Sequence, residues 1–148
     1  NGVIQNIVYD RKVGKKAGKS STGHALMPPA TMGPFPTNVI LNTGESSVEE
    51  MIASTERGIY INRFWYSNVV DTKQAIITGM TRDGTFLIED GKVIHPLRNM
   101  RYNQSLISAF SNVVELGKTL HAFKGYFGKV AVPSMKVNDF HFTGVSRE

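Results

Sequence analysis

The chain of 148 residues contains no cysteine. Disulfides and thiolate metal sites are therefore excluded. No apolar run approaches the ~20 residues that span a bilayer, and the first residues do not resemble a signal peptide. These absences point to a cytoplasmic protein with no membrane partner. Acidic residues number 12 against 17 basic ones, but the deficit is local. Residues 10–19 hold Arg11, Lys12, Lys15, Lys16 and Lys19 against Asp10 alone, and the remaining charges nearly balance. This is a neutral domain with one basic segment, whereas a nucleic-acid surface spreads its charge along a face.

What remains is the composition of an ordinary folded chain, 41% hydrophobic and 20% charged. Its length suits a single domain, residues 1–148, with a real core. The chain opens on Asn1-Gly2, a hairpin-turn signal with no strand before it, followed by the strand-like Val3–Tyr9. That predicts a piece cut from a longer protein.

The most patterned stretch is Gly58–Arg101, GIYINRFWYSNVVDTKQAIITGMTRDGTFLIEDGKVIHPLRNMR. Its β-branched and aromatic runs are broken at Asp71-Thr72-Lys73, at Asp83-Gly84 and at Asp90-Gly91. Asp-Gly favours two-residue hairpin turns, because both positions need positive φ. The spacing predicts an antiparallel meander of four strands. Around it, residues 18–37 carry four prolines and three glycines and predict a long loop. Asn38–Asn42 predicts a short strand. Ser47-Val48-Glu49-Glu50 is a capping box opening a helix, with Met51, Ile52 and Thr55 as its buried stripe and Gly58 past its end. Asp10–Ala17 allows a short helix, weakened by Gly14 and Gly18.

Asn103 reads as the N-cap of a second helix that Gly117 stops. Its stripe of Leu106, Ile107, Phe110, Val113 and Val114 would face the core. Residues 118–128 read as a connector. Lys129–Val137 and Asp139–Thr143 read as closing strands, with Pro133 at an edge or bulge. The fold class is α+β, dominated by an antiparallel sheet with two packing helices.

No motif carries chemistry outright. Gly14–Ser20 imitates a phosphate loop but has three residues between its glycines instead of four, and no helix can follow. It reads as a solvated basic loop. His24, His95, His121 and His141 lack metal-ligand spacing, and there is no GxSxG. No catalytic or metal-binding residue is assigned. The binding candidates are Arg63, Trp65, Arg82, Asp83 and Arg101. Alternation along the strand puts Arg63 and Trp65 on one face, with Phe64 and Tyr66 on the other.

Glu56–Leu106 resembles the C-terminal region of the TldD/PmbA proteins, the so-called modulators of DNA gyrase. Residues 1–22 (NGVIQNIVYDRKVGKKAGKSST) and Val132–Gly144 (VPSMKVNDFHFTG) are similar to that family's opening and closing segments. The resemblance implies a cytosolic zinc-dependent peptidase system acting on unfolded or small peptides. It also implies a heterodimer, or a homo-oligomer, built from subunits about three times this long. One subunit type holds zinc through an HExxxH helix and a later cysteine. The segment His121–Lys129, where that cysteine is expected, has none. This favours the PmbA-type partner without zinc ligands, so no cofactor is expected in this chain. Two alternatives stay open. The parent protein is itself the peptidase, with HExxxH upstream, or Arg11–Lys19 serves a nucleic-acid-binding module.

Overall fold

The computed structural model describes residues 3–125 and 128–145. Its elements are α1 (Arg11–Ala17), β1 (Asn38–Ile40), α2 (Val48–Ala53), β2 (Arg57–Asp71), β3 (Ile76–Glu89), β4 (Lys92–Pro96), β5 (Met100–Ser105), α3 (Leu106–Ser111), β6 (Val113–Lys124), β7 (Lys129–Val137) and β8 (Phe142–Val145). The class is α+β and strand-dominated, as the sequence predicts, with three helices described where two were expected.

The chain divides into two compact units. One comprises the described part of Asn1–Leu41 with Ala122–Val132; the other is Asn42–His121 with the described residues from Pro133 onward. In the first unit, Asp10 caps α1 by accepting from the Val13 amide at 2.6 Å, and Gly18 closes it in the left-handed region. The basic segment is thus largely helical rather than a loop. No helix starts at Lys19-Ser20, so the amide cradle of a phosphate loop is absent there. Residues 18–37 form no helix or strand. β1 runs parallel to the start of β7, from Asn38 opposite Lys129 to Ile40 opposite Ala131. Pro133 lies beyond that pairing, where its missing N–H costs no β1 bond. The predicted strand Val3–Tyr9 forms no ladder, and Tyr9 is instead held by Thr22 through its amide and carbonyl. The predicted turn at Asn1-Gly2 lies outside the described residues.

The second unit is organised by the sheet β2-β3-β5-β8, with β4 also pairing β3. The Asp71 turn forms as predicted, its carboxylate accepting from the amides of Lys73 and Gln74 at 2.7 and 3.0 Å. Asp90-Gly91 also turns, with positive φ at both residues and Glu89 facing Lys92. Asp83-Gly84 does not turn. β3 runs straight through it, and these two residues face the single Asn62 of β2, a bulge. Positive φ is required in either structure, so the dipeptide alone does not distinguish them. The meander therefore has one long β3 where two strands were predicted.

The capping box is present, with the Ser47 hydroxyl accepting from the Glu50 amide and the Glu50 carboxylate accepting from the Ser47 amide. Met51 is buried beneath it. Gly58 is not its terminator: α2 ends at Ser54, and Gly58 lies within β2 at a negative φ. Its need is space, since a Cβ there would come 2.8 Å from the Thr55 methyl. The second predicted helix is much shorter than expected. Asn103 stays in β5, Ser105 is the N-cap, and α3 ends at Asn112. The adjacent β-branched pair Val113-Val114 then favours extended backbone and starts β6, which replaces the predicted connector as far as Lys124. Leu106, Ile107 and Phe110 are exposed, so the expected core stripe is not buried in the described chain.

Candidate functional site

The centre of the β2–β3–β5 sheet has two unlike faces. On one, Tyr102 is 1% exposed and sits opposite Gly79. A Cβ on Gly79 would run into the Tyr102 phenol, so glycine makes the room for that ring. The Tyr102 hydroxyl meets Ser67 Oγ at 2.6 Å, and the ring packs edge-on against Phe64 and Phe140, with centroids 4.9 and 5.7 Å away. Beside it, Thr81 Oγ1 accepts from the Met100 amide at 2.9 Å and from Thr85 Oγ1 at 2.7 Å. Burial here is fully satisfied by hydrogen bonds, as a low-dielectric interior demands.

The opposite face carries the sequence candidates. Arg63 and Arg82 are directly paired across β2 and β3, and Trp65 pairs with Met80, which in turn pairs with Arg101. Directly paired residues share a face, as do residues two apart. The guanidinium carbons of Arg63 and Arg82 stand over the Trp65 ring at 4.9 and 4.8 Å from its centroid. Such contacts contribute about 0.5–1 kcal/mol each at exposed sites. The bulge at Asp83-Gly84 turns the Asp83 carboxylate back onto these cations. It forms an ion pair with Arg63 and lies 3.6 Å from Arg82. The Asn62 side-chain amide holds the bulge by donating to the Asp83 carbonyl at 2.9 Å, and Gly84 leaves room for it.

Four of the five candidates therefore form one cluster. Arg101 stands apart, two strands across in the same row as Trp65, so their Cα atoms are about 10 Å apart at normal strand spacing. Its side chain is exposed and makes no bond among the described residues.

Strict alternation holds for Arg63, Phe64 and Trp65 and breaks at Tyr66. There Tyr66 and Ser67 face the single Gly79, and Tyr66 takes φ 54° with its side chain 76% exposed. A bulky residue at positive φ is strained. Asn68 supports this bulge by donating from Nδ2 to the Tyr66 carbonyl at 2.8 Å. Alternation alone predicts Tyr66 on the Phe64 face, and the register step at Gly79 breaks that alternation. The available signal was the run of three aromatics, which a half-buried strand does not place on one face without a register step.

A polar network missed in the sequence joins α2 to β6 and β7. Glu115 accepts from Ser46 at 2.8 Å and from Ser54 at 3.1 Å, and Lys136 Nζ lies 3.2 Å from its carboxylate. The Ser46 hydroxyl, followed by Lys136, holds the Glu115 carboxyl below the usual carboxylate range. The Ser47 amide and hydroxyl do the same for Glu50.

No three His, Asp or Glu side chains gather among the described residues. His24 Nδ1 meets Thr22 Oγ1, while His95 and His141 each meet a backbone carbonyl through Nδ1. This donor set does not fit a zinc site, and no metal-dependent step can be assigned to it. No described helix is long and apolar enough to cross a membrane.

The sheet order and the sequence around it match a known class of domain. The model of the PmbA/TldA metallopeptidase C-terminal domain matches residues 1–144, and the chain belongs to that family. It is similar to a protein of Methanothermobacter thermautotrophicus named metalloprotease, 26% identical over 87% of this chain and 28% of that protein. It is also similar to the metalloprotease TldD homolog of Haemophilus influenzae, 24% identical over 99% of this chain and 32% of that protein. Among solved structures, TldE of Thermococcus kodakarensis matches 97% of this chain and 32% of its own, with TM-score 0.81 and 19% identity. A Thermotoga maritima protein described as a candidate modulator of a DNA gyrase covers 96% of this chain and 31% of its own, with TM-score 0.80 and 19% identity. These structural likenesses establish the fold. The chain spans about a third of the length of the relatives it matches.

Proposed function

We propose that this domain belongs to the partner subunit, without zinc ligands, of a cytosolic zinc-dependent peptidase that degrades unfolded or small peptides. The carrying observation is that residues 1–144, which match the family's C-terminal domain, contain no cysteine. In the resemblance described above, the metal-binding subunit type supplies a cysteine from this region. The domain's work is then architectural and recognitive. β2 is a 15-residue strand whose only ladder among the described residues is with β3. Its other edge offers unpaired N–H and C=O groups to an extended peptide, which would add as a strand. The register step at Tyr66 ends the regular part of that edge, so the added strand lies along residues 57–65.

A second reading is favoured by the names of the sequence relatives, which are metalloproteases and TldD homologs. In it the protein carries its own zinc ligands outside this domain. Metal analysis of the purified natural full-length protein separates the two. The proposed function predicts no stoichiometric zinc and no peptidase activity until a metal-binding partner is added. Tight zinc at one ion per subunit, with activity in the isolated protein, would establish the second reading instead.

A further inference from the structure

We infer that the exposed face at Trp65 is an anion-reading platform that recognises acidic side chains of an extended peptide lying along β2. It carries Arg63, Arg82 and Arg101 against the single carboxylate of Asp83. Asp83 is shared between the two arginines nearest Trp65, so one negative charge stands against two positive ones. Arg101 has no compensating group among the described residues. The face is therefore pre-assembled for a further carboxylate. Trp65 fixes the directions of two guanidinium groups, which removes part of the rotamer entropy that binding would otherwise cost. Arginine's planar fork suits bidentate carboxylate recognition.

The occupant follows from what lies beside the cluster. Arg63 and Trp65 stand on β2, whose free edge runs past them. A peptide strand added there places alternate side chains over the same face of the sheet, at a spacing of about 6.6–6.8 Å. Acidic residues at every second position would reach Arg63 and then Arg82, while the intervening ones point to the Phe64 side. Arg101, on β5, lies three strand spacings from the added strand, about 14 Å, and adds only to the field of the face. A nucleic acid would need stacking surface as well as cations. The π-surface of Trp65 is already engaged by two guanidinium groups, so it is not free for a base to stack on. The choice of a peptide rests on the peptidase reading. Binding is measured without turnover, so failure here is distinguishable from failure there.

The test uses the natural full-length protein and fluorescein-labelled ten-residue peptides of alternating Thr and Glu, Thr and Gln, or Thr and Lys, followed by anisotropy. A single-stranded oligonucleotide of equal charge is the fourth probe. The Glu peptide should bind at least about fivefold more tightly than the Gln peptide, as expected for exposed charge-assisted contacts, and should weaken with salt. Arg63→Gln should remove about threefold or more of that preference, and Arg63→Lys should restore part of it. Asp83→Asn removes the competing carboxylate while keeping a residue that tolerates positive φ, so it should tighten the Glu peptide. Equal binding of Glu and Gln peptides would overturn the inference. So would a Glu preference untouched by Arg63→Gln, weaker Glu binding in Asp83→Asn, or tighter binding of the oligonucleotide.

Discussion

The two faces of the β2–β3–β5 sheet are made by neighbouring residues and have opposite physical character. Thr81 and Tyr102 are buried on one side in an aromatic and hydroxyl-bonded cluster, which Phe64 covers while itself 43% exposed. Arg63, Trp65, Arg82 and Arg101 point the other way, where Trp65 remains 46% exposed. The buried hydroxyls of Thr81, Thr85 and Tyr102 on the first face are all closed by partners within the fold. On the second face the cations outnumber the local carboxylate. One face therefore holds the domain together, and the other is free to recognise. Stability and binding should separate cleanly between them.

The largest effect is expected from Tyr102→Ala, which empties the centre of the aromatic cluster and should cost about 3–5 kcal/mol in denaturant unfolding. A loss below about 1 kcal/mol would mean that this face is not the core. Thr81→Val should cost about 1–3 kcal/mol, because it strands the half-buried Met100 amide and the buried Thr85 hydroxyl. Tyr102→Phe tests the Ser67 bond alone and should cost about 1 kcal/mol. On the opposite face, Trp65→Ala should change stability by about 1 kcal/mol or less.

Acid provides a control acting on neither face. The folded Glu115 and Glu50 carboxyls titrate below the unfolded range. Their stabilisation is complete above the unfolded carboxylate pKa and is lost as pH falls through the depressed folded values. Unfolding midpoints should therefore drop on acidification, and Glu115→Gln should flatten that fall while leaving peptide affinity near neutral pH unchanged.

Local signals that act within a few residues were readable in the sequence. Ser47 and Glu50 define the start of α2, Asp71 and Asp90-Gly91 make their turns, and the family resemblance rests on this same stretch. Signals that depend on a distant partner were not. Asp83-Gly84 has the chemistry of a turn and of a bulge alike, and only the length of β2 opposite it selects the bulge. The apolar spacing from Leu106 to Val114 fits a helix, yet Val113-Val114 belongs to β6. The candidate cluster was legible as residue types on one face. That Arg63 and Arg82 both stand over Trp65 was not, because it requires the cross-strand register that the bulge sets.

The most direct measurement pairs denaturant unfolding with acidic-peptide affinity on one variant, Arg63→Gln. The separation of the two faces predicts a stability change of about 1 kcal/mol or less alongside a several-fold loss of affinity for the Thr-Glu peptide. Reduced stability with unchanged affinity would contradict it.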